Sequence, residues 1–329
     1  MISAEMKVFK TGLCLLLIIS CLSCCCFAKQ TIGNGAGNFV FDYNLAGQVK
    51  KIPVYYHCPS ELTPLSQVVF VMHGAGRSGR GYRDEWQRYA NMYNFIVLCP
   101  EFSEAEFGGW GRYNAGNVYD YDHKRYTKKA EWTFNVIEGL FDFVKQEKEL
   151  KAEAYCIFGH SAGAQFVQRM VLFMPEARFS LAIANGAGDY TEPVFDKVFS
   201  DGLRGTCVTE ESLRKSFDKE MILLMGVKDL MSKTMPKEGQ FHQYDRVWKA
   251  RIFYQTVKNE FLKRQLPLKW HLRMVPNADH NNPIYAEIGS RMAARSKIFF
   301  KNPRAKDPNS TADANDSGQD DGNTPPEAK

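Results

Sequence analysis

Blocks of one charge, metal-ligand spacings, interdomain linkers and membrane-length apolar runs are all missing from this 329-residue chain. Its 42 Lys and Arg against 37 Asp and Glu leave a net charge of +5 with no long basic block, which argues against nucleic acid as the main partner. Beyond residues 1–28, no Cys-x-x-Cys and no His/Cys pattern of zinc-binding spacing occurs, so neither a metal nor an organic cofactor is implied. The strongest apolar run falls short of the ~20 residues a spanning helix needs, which excludes a polytopic membrane protein. No internal repeat is visible, and no Gly- or Pro-rich linker divides the body. What is present, 44% hydrophobic and 24% charged residues, is enough to build a large core and excludes a wholly disordered or collagenous chain.

Neither end reads as part of that core. Lys7 and Lys10 precede a charge-free run from Thr11 to Ala28 that contains Leu13, Leu15, Leu16, Leu17, Ile18 and Ile19. A positive segment followed by a short apolar one is the pattern of an export signal, so residues 1–28 are expected to be a leader and the protein to be exported. A retained single-span anchor is the competing reading, disfavoured by length. Ile18-Ile19-Ser20-Cys21 resembles a lipobox, which would attach the chain to a membrane by lipid on Cys21; Cys26-Phe27-Ala28 resembles an ordinary cleavage site. At the other end, residues 302–329 hold no aromatic and no Leu, Ile, Val or Met, so burial cannot offset their ordering entropy and disorder is expected. Five of the nine cysteines lie in the leader. Of the rest, Cys99 and Cys156 sit in apolar runs as small buried hydrophobes, and Cys58 or Cys207 could enter a disulfide.

The body, residues 29–301, alternates apolar runs with amphipathic stretches, which predicts one α/β domain around a mostly parallel sheet. Strands are expected over Lys51–His57, Val68–Met72, Phe95–Cys99, Tyr155–Phe158, Leu181–Ala184, Ile222–Met225 and His271–Val275. Helices are expected over Tyr82–Tyr93, Glu131–Leu150, Ala162–Phe173, Gln243–Arg264 and Pro283–Phe300. In the second helix Phe134, Ile137, Phe141 and Val144 recur at steps of three and four and make one apolar face.

Chemistry enters at Gly159-His160-Ser161-Ala162-Gly163, between an expected strand and an expected helix. Gly-x-Ser-x-Gly in that setting is a nucleophile elbow: a sharp, strained turn lifts the Ser161 hydroxyl above the sheet, and the glycines leave room for it. The helix N-terminus beneath supplies free N–H groups and a positive dipole end, which favour a developing oxyanion. Such a serine needs a base, and in this fold acid and then histidine follow it along the chain. After Ser161 come only His242, His271 and His280. His280 lies in the polar loop Val275–Asn282, whereas packing or solvation accounts for the other two. For the acid, Asp229 stands three residues beyond the glycine that ends an apolar strand. Asp189, also at a strand's carboxyl end, is its rival, and Asp279 is read as a loop residue.

The expected strand Val68–Met72 runs into His73-Gly74-Ala75-Gly76, an oxyanion-loop pattern. The backbone N–H of Ala162 and that of Ala75, with Gly76 as the alternative to Ala75, are the candidate oxyanion donors; His73 is expected to hold the loop. Trp110 and Tyr113, in Gly108–Asn114, are candidate substrate-contacting rings, against the alternative of buried loop anchors. Tyr119–His123 is either rim or plain surface.

With these motifs in place the chain resembles an α/β-hydrolase over residues 51–300. Within that superfamily it is most similar to the secreted polyhydroxybutyrate depolymerase and feruloyl esterase group, on the strength of His73–Gly76, the Trp86 helix, Val97-Leu98-Cys99-Pro100 and Gly159–Gly163. Ala75 stands where many members carry a cysteine, and no disulfide pattern of that group is evident. The resemblance implies a mostly parallel sheet flanked by helices, a Ser161–His280–Asp229 triad and hydrolysis of a small or polymeric ester through an acyl-enzyme. The stretch from Ala187 to Lys219 holds only 33 residues, room for a short flap but not a large lid. A serine peptidase of the same fold and a non-catalytic surface binding module are the other classes to be distinguished.

Overall fold

The computed structural model describes residues 32–229, 245–281 and 283–301. The expected leader with Cys21, the polar tail 302–329 and His242 lie outside the described residues. Two long strands come first, β1 (Gly35–Leu45) and β2 (Gln48–Cys58). They pair antiparallel across the two-residue turn Ala46-Gly47, where both φ angles are positive. β1 is absent from the strands expected above, although Phe39, Phe41 and Leu45 alternate inward along it.

The other strands of the main sheet follow at the expected places, each one or more residues longer. They are β3 (Gln67–Met72) and β4 (Phe95–Pro100), and, after a small ribbon of β5 (Tyr119–Asp120) and β6 (Arg125–Tyr126), β7 (Tyr155–His160), β8 (Phe179–Asn185), β9 (Met221–Gly226) and β10 (Trp270–Val275). Their order in the sheet is β1-β2-β4-β3-β7-β8-β9-β10. β2 runs antiparallel to both neighbours, and every later pairing is parallel. The helices are α1 (Gly79–Tyr93), the single turn α2 (Gly109–Arg112), α3 (Asn135–Glu147), α4 (Ala162–Phe173), α5 (Glu210–Phe217), α6 (Arg246–Lys263) and α7 (Ile284–Lys301).

Because side chains alternate along a strand, β3 sends Val68, Phe70 and Met72 to one face and Val69 and Val71 to the other. The first set packs under Ile137, Phe141 and Val144 of α3, Phe166 and Met170 of α4 and Phe253 of α6. The second packs under Trp86 and Tyr89 of α1 and Tyr285, Ile288 and Met292 of α7. Both faces of the central strands are thus covered, which is why these strands read as unbroken apolar runs rather than alternating ones. Helix α5, not expected from the sequence, carries only Leu213, Ser216 and Phe217 inward over two turns, too short a pattern to stand out.

Cys58, Cys99 and Cys156 are buried free thiols, and Cys207 is an exposed one, so no disulfide joins cysteines among the described residues. Burial pushes all four thiols up from their ordinary value. What the topology does for function is alignment: β3, β7, β9 and β10 are parallel, and the segments leaving their carboxyl ends carry residues 73–76, Ser161, Asp229 and His280 to one edge of the sheet.

Candidate active site

Ser161 caps α4 directly after β7, with φ 55° and ψ −111°. That conformation is one L-residues avoid, and it costs on the order of 1–3 kcal/mol, which the surroundings must hold in place. Part of the hold is visible: Ser161 N–H donates to the Asn185 carbonyl at the end of β8, at 2.9 Å. The flanking glycines are a steric need. A Cβ on Gly159 would stand 2.1 Å from the Gly163 carbonyl oxygen, and one on Gly163 would stand 2.3 Å from that of Met72. The absence of a side chain at 163 lets the end of β3, and with it the loop His73–Gly76, close onto α4 beside Ser161.

His280 Nδ1 lies 2.9 Å from Asp229 Oδ2, and the carboxylate is wholly buried. Since a carboxylate only accepts, Nδ1 carries the proton and Nε2 is left free to accept one. The second oxygen, Asp229 Oδ1, accepts from Arg246 Nη1 at 3.1 Å. Gly186, at φ 63°, makes this approach feasible: a Cβ there would stand 3.0 Å from Asp229 Oδ2 and 3.2 Å from His280 Nδ1. Asp189 goes elsewhere. It is 42% exposed, 3.5 Å from Arg169 and 4.0 Å from Lys249. Asp279 offers its backbone carbonyl to the Tyr285 hydroxyl, and His271 lies exposed on β10.

Ser161 and His280 line one cleft of about 180 Å³ with Gly74, Ala75, Gly76, Tyr82, His160 and Asn281. Its floor is braced from below. His73 Nε2 accepts from Phe102 N–H at 2.9 Å, so Nδ1 bears the proton and donates to the Gly74 carbonyl. Arg77, at φ 55°, reaches the carbonyls of Phe102, Phe107 and Gly109 and pairs with Glu104, tying the loop to the segment that follows β4. The Tyr82 hydroxyl accepts from Gly74 N–H at 3.2 Å.

The two candidate substrate rings part company. Tyr113 is fully buried, stacked on Phe102 with its hydroxyl on the His73 carbonyl, and it presents no face to a substrate. The reading of Tyr113 as a substrate contact is therefore corrected: it anchors the loop. Trp110 is only half-buried. Its Nε1 donates to Gln165 Oε1, one helical turn beyond Ser161, and its ring meets Tyr121 edge-on. It borders a hollow of about 490 Å³ shared with Tyr119, Tyr121, Asp120 and Asp122.

Sequence reasoning passed over Arg246, Arg77 and Tyr82, and it gave His160 no role. Arg246, Arg77 and His160 meet partners seventeen or more residues away, and only Arg77, a charge within a glycine-rich stretch, carried a local signal.

Two of these histidines set a pH limit. Burial pushes both His73 and His160 down from 6.5 to about 4. A buried neutral histidine withholds a proton that the unfolded chain takes up, so its stabilising effect is whole above pH 6.5 and is lost as the pH falls toward 4. Each depression corresponds to roughly 3 kcal/mol. Urea midpoints at pH 7, 5.5 and 4 should therefore fall steeply across this window. A midpoint that holds steady down to pH 4 would contradict the buried, uncharged state of both rings.

Neither a protein-family model nor a curated protein matches the chain. Solved structures do. The poly(aspartic acid) hydrolase-1 of Sphingomonas sp. KT-1 is 32% identical with a TM-score of 0.73, over 80% of this chain and 99% of that one. A poly(3-hydroxybutyrate) depolymerase of Bordetella parapertussis is 27% identical with a TM-score of 0.68, over 84% of this chain and 93% of that one. An S-formylglutathione hydrolase of Agrobacterium tumefaciens, 16% identical with a TM-score of 0.51, shares the fold over 82% of this chain and 97% of its own. The chain belongs to the α/β-hydrolase superfamily. Within it, the chain falls in the esterase group, beside the polymer hydrolases just named.

Proposed function

We propose that the protein is an exported serine hydrolase that cleaves carboxylic esters through an acyl-enzyme. The observation that carries this reading is the buried Asp229 carboxylate on His280 Nδ1, in a cleft whose other wall is Ser161 on its strained elbow. His280 Nε2 takes the Ser161 proton as Oγ attacks the ester carbonyl, and the bond to Asp229 holds the imidazole tautomer and stabilises the imidazolium. Ala75 and Ala162 N–H groups receive the oxyanion, each such donor typically contributing about 3–4 kcal/mol to the transition state. His280 then protonates the leaving alcohol, and water enters by the same route in reverse to release the acid. Residues 29–301 act as one catalytic body. The basic and apolar pattern of residues 1–28 supports export, with either lipid attachment at Cys21 or cleavage after Ala28.

The cleft volume supports a short acyl group, being below the ~300–1,000 Å³ of sites that engulf a drug-sized ligand. The neighbouring hollow beside Trp110 leaves room for a further unit of a polymer. A second reading, amide cleavage, is favoured by one finding: the 32% identical structure is named for hydrolysis of poly(aspartic acid), a polyamide.

Release of p-nitrophenol from acetyl, butyryl and feruloyl esters, run beside the acetyl p-nitroanilide and poly(aspartic acid), tests these against each other. Acetyl and butyryl esters are expected to turn over fastest. Amide cleavage without ester turnover would transfer the function to a peptidase-like hydrolase, and no turnover at all by folded protein would leave a binding module.

A further inference from the structure

His160, the variable residue of the Gly-x-Ser-x-Gly motif, ends β7 immediately before Ser161, and its ring is buried. It sits against His280, ring centroids 4.6 Å apart and planes inclined by 38°, with Tyr82 at 6.0 Å and Tyr285 at 6.3 Å. One ring nitrogen is engaged: Asn185 Nδ2 lies 2.8 Å from Nδ1 and donates to it, so the proton is on Nε2, and Asn281 borders the same cleft as the ring. Asn281 is the residue after His280, in a loop with no regular secondary structure, while Asn185 is buried and its carbonyl holds Ser161 N–H. One imidazole therefore links the strand that carries the serine to the loop that carries the histidine.

Asp229 fixes only Nδ1 of His280 and leaves the ring free to pivot about that bond. We propose that His160 is a positioning residue for the hydrolase site: its ring face, held in place by Asn185, locks the pivot, so that His280 keeps Nε2 turned to Ser161. Its chemistry suits the task. A cation at this place would stand against the imidazolium that forms on His280 in each turnover, and burial keeps the His160 ring uncharged down to about pH 4. His160 is no second base, because Nδ1 is occupied by Asn185 and Nε2 bears the proton. The inference rests on the triad reading above.

The test is a set of variants assayed for kcat and KM on acetyl p-nitrophenol ester, with melting temperature alongside. His160→Leu keeps the bulk and loses the flat ring face and the hydrogen bond from Asn185; kcat is expected to fall about 10- to 100-fold, the scale of an ångström of misplacement, with KM nearly unchanged. His160→Gln, which can still accept from Asn185, is expected to recover part of the loss. Asn185→Ala removes the donor to His160 but keeps the backbone carbonyl that holds Ser161 N–H. It should lower kcat as well, and combining it with His160→Leu should add little. Folded His160→Leu at wild-type kcat would overturn the proposal. So would a Gln variant as slow as Leu, or an Asn185→Ala loss that multiplies fully with it. Labelling of wild-type Ser161 by a fluorophosphonate, read by mass spectrometry, separates the two levels: without labelling the triad reading itself fails, and with it only the role of His160 is at stake.

Discussion

Ser161→Ala is expected to lower kcat on acetyl and butyryl esters by about 10⁵–10⁶-fold while the protein stays folded, since the loss of a triad nucleophile alone removes nearly all that the triad contributes. The residue that remains keeps its Cβ, its backbone hydrogen bond to Asn185 and the cap of α4, so the melting temperature should hardly move. Ser161→Gly should be equally inactive yet more stable, by about 1 kcal/mol or more, because a glycine adopts φ 55° and ψ −111° without the strain a side chain incurs there. A stabilised, inactive Gly variant would show that the strain at 161 is tolerated for the sake of a projecting hydroxyl. Retained turnover in the Ala variant would place the nucleophile elsewhere.

Most of the fold was legible in the sequence because the parallel core strands are buried on both faces. Val68–Met72, Phe95–Cys99 and Ile222–Met225 each read as a short apolar run, and the structure extends each by a residue or two. β1 escaped for the opposite reason. It is an edge strand with solvent on one face, three glycines near its start, and inward residues only at Phe39, Phe41 and Leu45, a pattern that is weaker than a continuous run. The expected helix over Glu131–Leu150 starts later, at Asn135, because residues 129–131 form a separate tight turn that places Trp132 and Phe134 under the core before the helix begins.

For the site, local and long-range information divide cleanly. Gly159–Gly163 needed only five neighbouring residues, and the strand-turn-helix setting around it is local. Asp229 and His280, the partners proposed for Ser161, stand out through chain order and through their positions at strand ends, and the structure brings these two side chains together because parallel strands gather those ends wherever they lie in sequence. Arg246 had no such marker. It begins α6, seventeen residues beyond Asp229, and its guanidinium meets the carboxylate only in the folded chain. Tyr113 was misjudged because an aromatic in a loop at the sheet's carboxyl edge looks alike from sequence whether its ring faces out, as Trp110 partly does, or inward onto Phe102 and Phe166.

The choice between the two aspartates has the second largest expected effect. Asp229→Asn replaces an acceptor-only group with one that also donates. The amide can no longer hold the proton of His280 on Nδ1 by charge, and the wrong tautomer becomes available; in serine triads this costs about 10⁴-fold in kcat. KM should change little, because Asp229 is wholly buried and lines none of the cleft. The change also weakens the partner of Arg246, so some stability should be lost, on the order of 1–3 kcal/mol for a buried charge-assisted bond. Asp189→Asn makes the converse case. It leaves the buried guanidinium of Arg169 with a weaker neighbour at 3.5 Å, which should register in the melting temperature, but it removes nothing from His280. Its kcat should stay within about threefold of wild type, because Asp189 lines no wall of the cleft. Measured side by side, an active Asp189→Asn and an inactive Asp229→Asn assign the acid. The reverse result would mean that His280 turns to another partner when substrate is bound, and that the buried Asp229–Arg246 pair serves the fold rather than the chemistry.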